Sequence, residues 1–129
     1  MIVGLGIDVV EVDRIRDSLK RFGDRFAARI LTPAEAGYCS TCADPALHVA
    51  ARFAAKEAAG KALGTGIGIE LAWHDVEVVR HPSGVPELRL LGKGRELADQ
   101  RTITRIHLSL THTARSAAAV VILETLEKD

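Results

Sequence analysis

The sequence predicts an α+β fold, an antiparallel sheet set against one long central helix, in a single domain spanning residues 1–129. Three observations carry this. Residues 2–10, IVGLGIDVV, form a strand-like run of β-branched and apolar residues. Residues 45–63 are alanine-rich and lie between a start signal, Asp44-Pro45, and a stop signal, Gly64. Two pairs of strand-like segments, 75–80 with 86–91 and 104–111 with 117–123, are each joined by short turn-forming links. A chain of 129 residues buries roughly two-thirds of its unfolded surface, enough for a core without disulfide or metal staples.

The elements follow in order. The first strand reads as buried, with Asp8 its only acid. Val12, Ile15, Leu19, Phe22 and Phe26 then recur at helical spacing, and Gly23 weakens or ends that helix. Thr32-Pro33-Ala34-Glu35 is a capping box with proline at the first helical position, opening a short helix. The long helix is rich in alanine from Ala50 to Ala62, which favours helix and lets neighbours approach closely. His81-Pro82-Ser83-Gly84-Val85 has hairpin chemistry, residues 93–100 suit a short helix, and Thr113-Ala114-Arg115-Ser116 links the last strand pair.

Composition excludes several function classes. Lys plus Arg and Asp plus Glu are 17 each, so the net charge is zero and a general nucleic-acid binder is not expected. Five scattered aromatics do not make a base-stacking platform. The apolar start has no basic region before it and is interrupted by Asp8, so neither a signal peptide nor a membrane span is expected, and the reading is cytoplasmic. Cys39 and Cys42 form a lone CxxC without a second ligand pair, which favours structural or incidental thiols over a redox or zinc role.

Two carboxylates and a lysine carry the candidate chemistry. Glu57 and Lys61 lie four apart on the long helix and share a face, with Phe53 one turn before them. Such a pair is commonly a surface ion pair worth a few tenths of a kcal/mol. Asp8 in an apolar strand needs a cation or hydrogen bonds if buried, or else caps the residues that follow. Together Asp8 and Glu57 are able to offer oxygens to magnesium, which takes one or two protein carboxylates and leaves its other positions to phosphate and water. Lys61 would face the same phosphates. Spacing alone leaves both readings open.

Three blocks carry a resemblance: Gly4-Leu5-Gly6-Ile7-Asp8-Val9-Val10-Glu11-Val12, then Arg52-Phe53-Ala54-Ala55-Lys56-Glu57-Ala58 with Lys61-Ala62-Leu63-Gly64-Thr65-Gly66, then Leu108-Ser109-Leu110-Thr111-His112-Thr113. In this order, over nearly the whole chain, they resemble the holo-[acyl-carrier-protein] synthase family, the small bacterial type of the 4'-phosphopantetheinyl transferase superfamily. The resemblance implies that family's fold and the transfer of phosphopantetheine from coenzyme A to a serine of apo acyl carrier protein. It implies fatty-acid biosynthesis as the setting and a homotrimer with active sites between subunits. Residue by residue, Asp8 and Glu57 match the Mg2+ ligands and Lys61 the lysine at the coenzyme A phosphates. Arg52, Ser109, Thr111 and His112 match coenzyme A contacts. Ser109 and Thr111 read on their own as the polar side of an alternating strand, and His112 as a strand-end histidine.

Acyl carrier proteins are acidic, so the docking surface is expected to be basic. Residues 13–29 carry six cations (Arg14, Arg16, Lys20, Arg21, Arg25, Arg29) against three acids, and Arg14 and Arg21 fall on one helical face near Ser18. Arg14, Arg21 and Arg25 are the docking candidates, weighed against a merely solvated face. Rival functions are a non-catalytic module binding coenzyme A or a carrier protein, a metal-dependent phosphohydrolase, and a thiol redox protein built on Cys39 and Cys42.

Overall fold

The computed structural model describes residues 1–126. Strand β1 (Ile2–Glu11) leads directly into helix α1 (Val12–Phe22), and Gly23 separates α1 from α2 (Asp24–Ile30). Gly23 has φ 56°, a left-handed conformation that breaks the predicted single stripe into two helices. Helices α3 (Pro33–Ser40) and α4 (Pro45–Leu63) follow. The capping box of α3 is present in full, with Thr32 and Glu35 capping each other's backbone. Gly64 ends α4 at φ 77°. Asp44 does not cap α4 with its side chain; its carboxylate instead takes two hydrogen bonds from Arg16, at 2.8 and 3.1 Å.

A 3-10 turn at Trp73–Asp75 leads into β2 (Val76–Arg80) and β3 (Pro86–Leu90), which pair as a two-stranded antiparallel sheet. Helix α5 (Gly92–Gln100) and strands β4 (Arg105–His112) and β5 (Ser116–Glu124) complete the order. Trp73 lies in that turn, just before β2. The main sheet is antiparallel with strand order β1-β5-β4. The α+β class expected from sequence is the one observed.

Helix α4 lies across one face of this sheet and is buried on nearly all sides: Ala50, Ala54, Ala55, Ala58 and Ala59 are each at most 1% exposed. This explains why it shows no apolar stripe in sequence; a helix covered all round has no solvent face to alternate with. Alanine at the contact also permits a very close approach. A Cβ on Gly6 would sit 1.9 Å from the Ala58 carbonyl oxygen, and one on Gly4 would sit 2.4 Å from that of Ala62. The two glycines let β1 lie against the backbone of α4.

Strand β1 differs from the buried strand expected. Its inward face is Gly4, Gly6, Asp8 and Val10, but Val3, Leu5, Ile7 and Val9 point away from α4 and are 47–65% exposed. Register places Ile7 beside Val120 and Leu5 beside Ile122, so the uncovered sheet face is apolar across two strands. Among the described residues, no helix is long and apolar enough to cross a membrane.

Candidate active site

The approach permitted by Gly4 and Gly6 brings Asp8, two residues further along the same face of β1, up to α4. Lys61 Nζ donates to Asp8 Oδ1 at 3.1 Å and to the Ile7 carbonyl at 3.0 Å. The lysine therefore pairs with the strand carboxylate, whereas sequence spacing had suggested a partner one turn back at Glu57. Glu57 is half-buried one turn before Lys61. Burial, then the nearby Asp8 charge, raises the Glu57 pKa, with Lys61 acting in the opposite direction.

Two carboxylates that repel each other in a partly desolvated place fit a bound cation, which would offset both penalties. Among the described residues no cluster of three or more His, Cys, Asp or Glu could hold a metal. Two carboxylates nevertheless suit magnesium, a hard ion that keeps water and phosphate oxygens in its other positions. Phe53, one turn before Glu57, packs on Trp73 with ring centroids 5.0 Å apart, and both are partly buried against the core.

The remaining candidates fall into two groups. Arg52 and His112 converge with Tyr38, His48 and Arg80 on a pocket of about 210 Å3 between α3, α4, β2 and β4. Arg52 is 4% exposed and its Nε is buried without a hydrogen-bond partner. Its guanidinium lies 4.9 Å from the Tyr38 ring centre. A buried, underpaired guanidinium is costly alone and suits an anionic ligand. Ser109 and Thr111 are not in this pocket. They pair with Val120 and Ala118, on the sheet face turned away from α4, so within one chain they meet neither Asp8 nor Arg52. Alternation across a pleated strand is the reason: His112 and Thr111 must point to opposite faces.

Tyr38, His48 and Arg80 were not identified from sequence. They come from three elements with no shared spacing, and only the packing of α3 and β2 against α4 gathers them. The Asp8 group and the Arg52 pocket lie at opposite edges of the main sheet, β1 and β4, with α4 between.

On α1 and α2, Arg14, Arg21 and Arg25 are all exposed. A cleft of about 460 Å3 beside them is lined by Ser18, Phe22, Arg25, Phe26 and Arg29. Phe22 is 56% exposed, with the Arg21 guanidinium 5.4 Å from its ring centre. Arg16 leaves the basic group because Asp44 holds it. Cys39 and Cys42 are both free, and burial pushes the Cys39 thiol pKa up, against nucleophilic use.

Residues 4–121 match the family model described as "4'-phosphopantetheinyl transferase superfamily". With that match, the chain belongs to the 4'-phosphopantetheinyl transferase superfamily. It is 53% identical over 124 residues to the holo-[acyl-carrier-protein] synthase of Koribacter versatilis, covering 96% of this chain and 99% of that one. Its fold is similar to that of the holo-[acyl-carrier-protein] synthase from Neisseria meningitidis, with TM-score 0.90, 35% identity, and coverage of 97% and 100%. It is also similar to the Helicobacter pylori synthase solved in complex with coenzyme A, with TM-score 0.83, 37% identity, and coverage of 93% and 99%.

Proposed function

We propose that this protein transfers the 4'-phosphopantetheine group of coenzyme A to a serine hydroxyl of an apo acyl carrier protein, releasing 3',5'-ADP. The observation that carries the reading is the Asp8–Lys61–Glu57 group in a chain of this superfamily. Near-full-length similarity to proteins named holo-[acyl-carrier-protein] synthase, one of them solved with coenzyme A, supports the donor and the acceptor.

Asp8 and Glu57 would hold a magnesium ion, which when bound supplies positive charge at the pyrophosphate. The chain's own residues do the rest. Lys61 is half-exposed, so its ammonium can turn from Asp8 to a phosphate oxygen and offset charge growing on the leaving group. Glu57 would accept the proton from the serine hydroxyl as general base. Little covalent work falls to the protein, so positioning governs the rate.

Arg52 and His112 bind a coenzyme A phosphate in their pocket, and Ser109 and Thr111 contact the ligand from the outer sheet face. A homotrimer reconciles these positions, one subunit supplying Asp8, Glu57 and Lys61 and its neighbour the remaining contacts. The uncovered apolar face of Val3, Leu5, Ile7 and Val9 supports such an assembly, because a monomer rarely leaves a contiguous patch of this kind in water. Arg14, Arg21 and Arg25 on α1 and α2 dock the acidic carrier, and the site acts in the cytoplasm, in fatty-acid biosynthesis.

Nucleotide chromatography separates transfer from simple hydrolysis. Release of 3',5'-ADP from coenzyme A is expected only when magnesium and apo carrier protein are both present. Release without carrier would replace the transferase reading by a phosphohydrolase.

A further inference from the structure

The Arg52 pocket gathers more positive charge than one phosphate contact requires. Arg80 donates a hydrogen bond to the Tyr38 hydroxyl, and its guanidinium lies 5.3 Å from the ring centre. Tyr38 thus carries both Arg52 and Arg80 against its ring. His48 stands edge-on to Tyr38 at 5.8 Å and 6.4 Å from the His112 ring. Four groups able to bear positive charge, from α4, β2 and β4, therefore face one small cavity.

Charged groups on α4, β2 and β4, and Asp44 just before α4, set the charge state of His48. Burial, then Arg52, His112 and Arg80, hold its pKa below the usual histidine value, and Asp44 opposes them. Asp44 is already engaged by Arg16, so little of its charge is free to offset the pocket. With the cavity empty, a proton on His48 adds to a crowd of like charge. A phosphate dianion in the cavity reverses the sign of that field and favours the proton.

We propose that the pocket takes up its phosphate together with a proton on His48, and that Arg80 and Tyr38 complete the cradle that Arg52 and His112 begin. The proposal rests on reading this pocket as a coenzyme A phosphate subsite. It separates the pocket from an ordinary cationic one in the direction of proton flow. A phosphate monoester has its second pKa near 6, so a pocket of fixed cations selects the dianion and releases any proton the ligand carries. Here a proton is absorbed instead, and coenzyme A binds more tightly as the pH falls from 8 towards 6.5.

The test is calorimetry with magnesium present, at pH 7, in two buffers of different protonation enthalpy. Coenzyme A is compared with 3'-dephospho-coenzyme A, which lacks the monoester. Coenzyme A is expected to take up a larger fraction of a proton than the dephospho ligand. The ratio of their affinities is expected to rise by up to about tenfold per unit fall in pH in that window. His48→Gln is expected to remove both differences. The wild-type comparison of the two ligands needs no variant, so misfolding cannot mimic the result. Tighter binding of coenzyme A with no extra proton uptake, or with proton release, overturns the His48 linkage and leaves the phosphate subsite standing. Equal affinity for the two ligands overturns the subsite and the linkage together.

Discussion

Lys61 Nζ lies 3.1 Å from Asp8 Oδ1, tying the long central helix to the edge strand across 53 residues of sequence. The contact exists because Gly4 and Gly6, on the same face of β1 as Asp8, offer no side chain to hold α4 away. Glycine spacing in the strand and side-chain chemistry in the helix are therefore parts of one device.

Gly6→Ala tests that device. The new Cβ would meet the Ala58 carbonyl at 1.9 Å, so strand and helix must separate. We expect a loss of about 1–3 kcal/mol of stability. We also expect turnover to fall roughly 100-fold, because displacing Asp8 from Glu57 and Lys61 by about 1 Å is costly to a positioned reaction. Chemical denaturation and steady-state kinetics measure the two effects; unchanged turnover in a folded variant would refute the link.

Glu57→Gln separates function from stability. A carboxyl whose pKa is raised by folding stabilises fully only below its unfolded value, and that contribution is lost as pH rises through the folded value. At neutral pH without magnesium, ionised Glu57 therefore works against the fold. We expect Glu57→Gln to abolish transfer and yet raise the metal-free melting temperature at pH 7 by about a degree or two. That gain should vanish near pH 4. A lower melting temperature at pH 7 would contradict the pKa direction.

Lys56, immediately before Glu57, is fully buried and donates to Glu35 Oε1 at 2.6 Å, to the Ile30 carbonyl at 2.7 Å and to the Trp73 carbonyl at 3.1 Å. Glu35 also accepts from the N–H groups of Thr32 and Val78, both at 2.9 Å. Lys56→Met strands a buried carboxylate. We expect a loss of about 3–5 kcal/mol, seen as a fall in melting temperature on the order of 10 °C. Adding Glu35→Leu should recover only part of it, because the two N–H groups then lose their acceptor. A melting temperature unchanged in Lys56→Met would show that the network does not hold α4.

Arg14→Glu with Arg21→Glu reverses the charge on the exposed α1 face. The carrier-protein KM should rise at least about tenfold and the effect should shrink with added salt, while coenzyme A binding is unaffected. An unchanged carrier KM would remove α1 as the docking surface.

Subunit mixing examines the proposal that the site is shared between subunits. Glu57→Ala and Arg52→Ala chains, each inactive alone, should regain activity when co-assembled one to one. In the proposed homotrimer, random assembly would restore about a quarter of the wild-type sites, those with Glu57 from one chain and Arg52 from the next. No recovery from verified mixed trimers would mean that both residues act within one chain.

Much of this architecture was legible in the sequence because its signals are local. Thr32 and Glu35 form their capping box, Gly64 stops α4, and the two strand pairs form. What was not legible depends on tertiary contact. Glu35 showed as a cap, but nothing in its spacing revealed Lys56. Ile2–Glu11 showed as a strand, but its apolar composition does not say that one face stays uncovered. Alternation separates Thr111 from His112, yet only the strand order shows which faces α4. Tyr38, His48 and Arg80 carried no common period at all.

Mass spectrometry of an apo acyl carrier protein, incubated with this protein, coenzyme A and magnesium, tests the proposed transfer most directly. The carrier is expected to gain the mass of one phosphopantetheine arm on its serine, and to gain nothing with Asp8→Ala or Glu57→Ala. A carrier left unchanged by a folded protein that binds coenzyme A would contradict the transferase reading and leave a non-catalytic binding module.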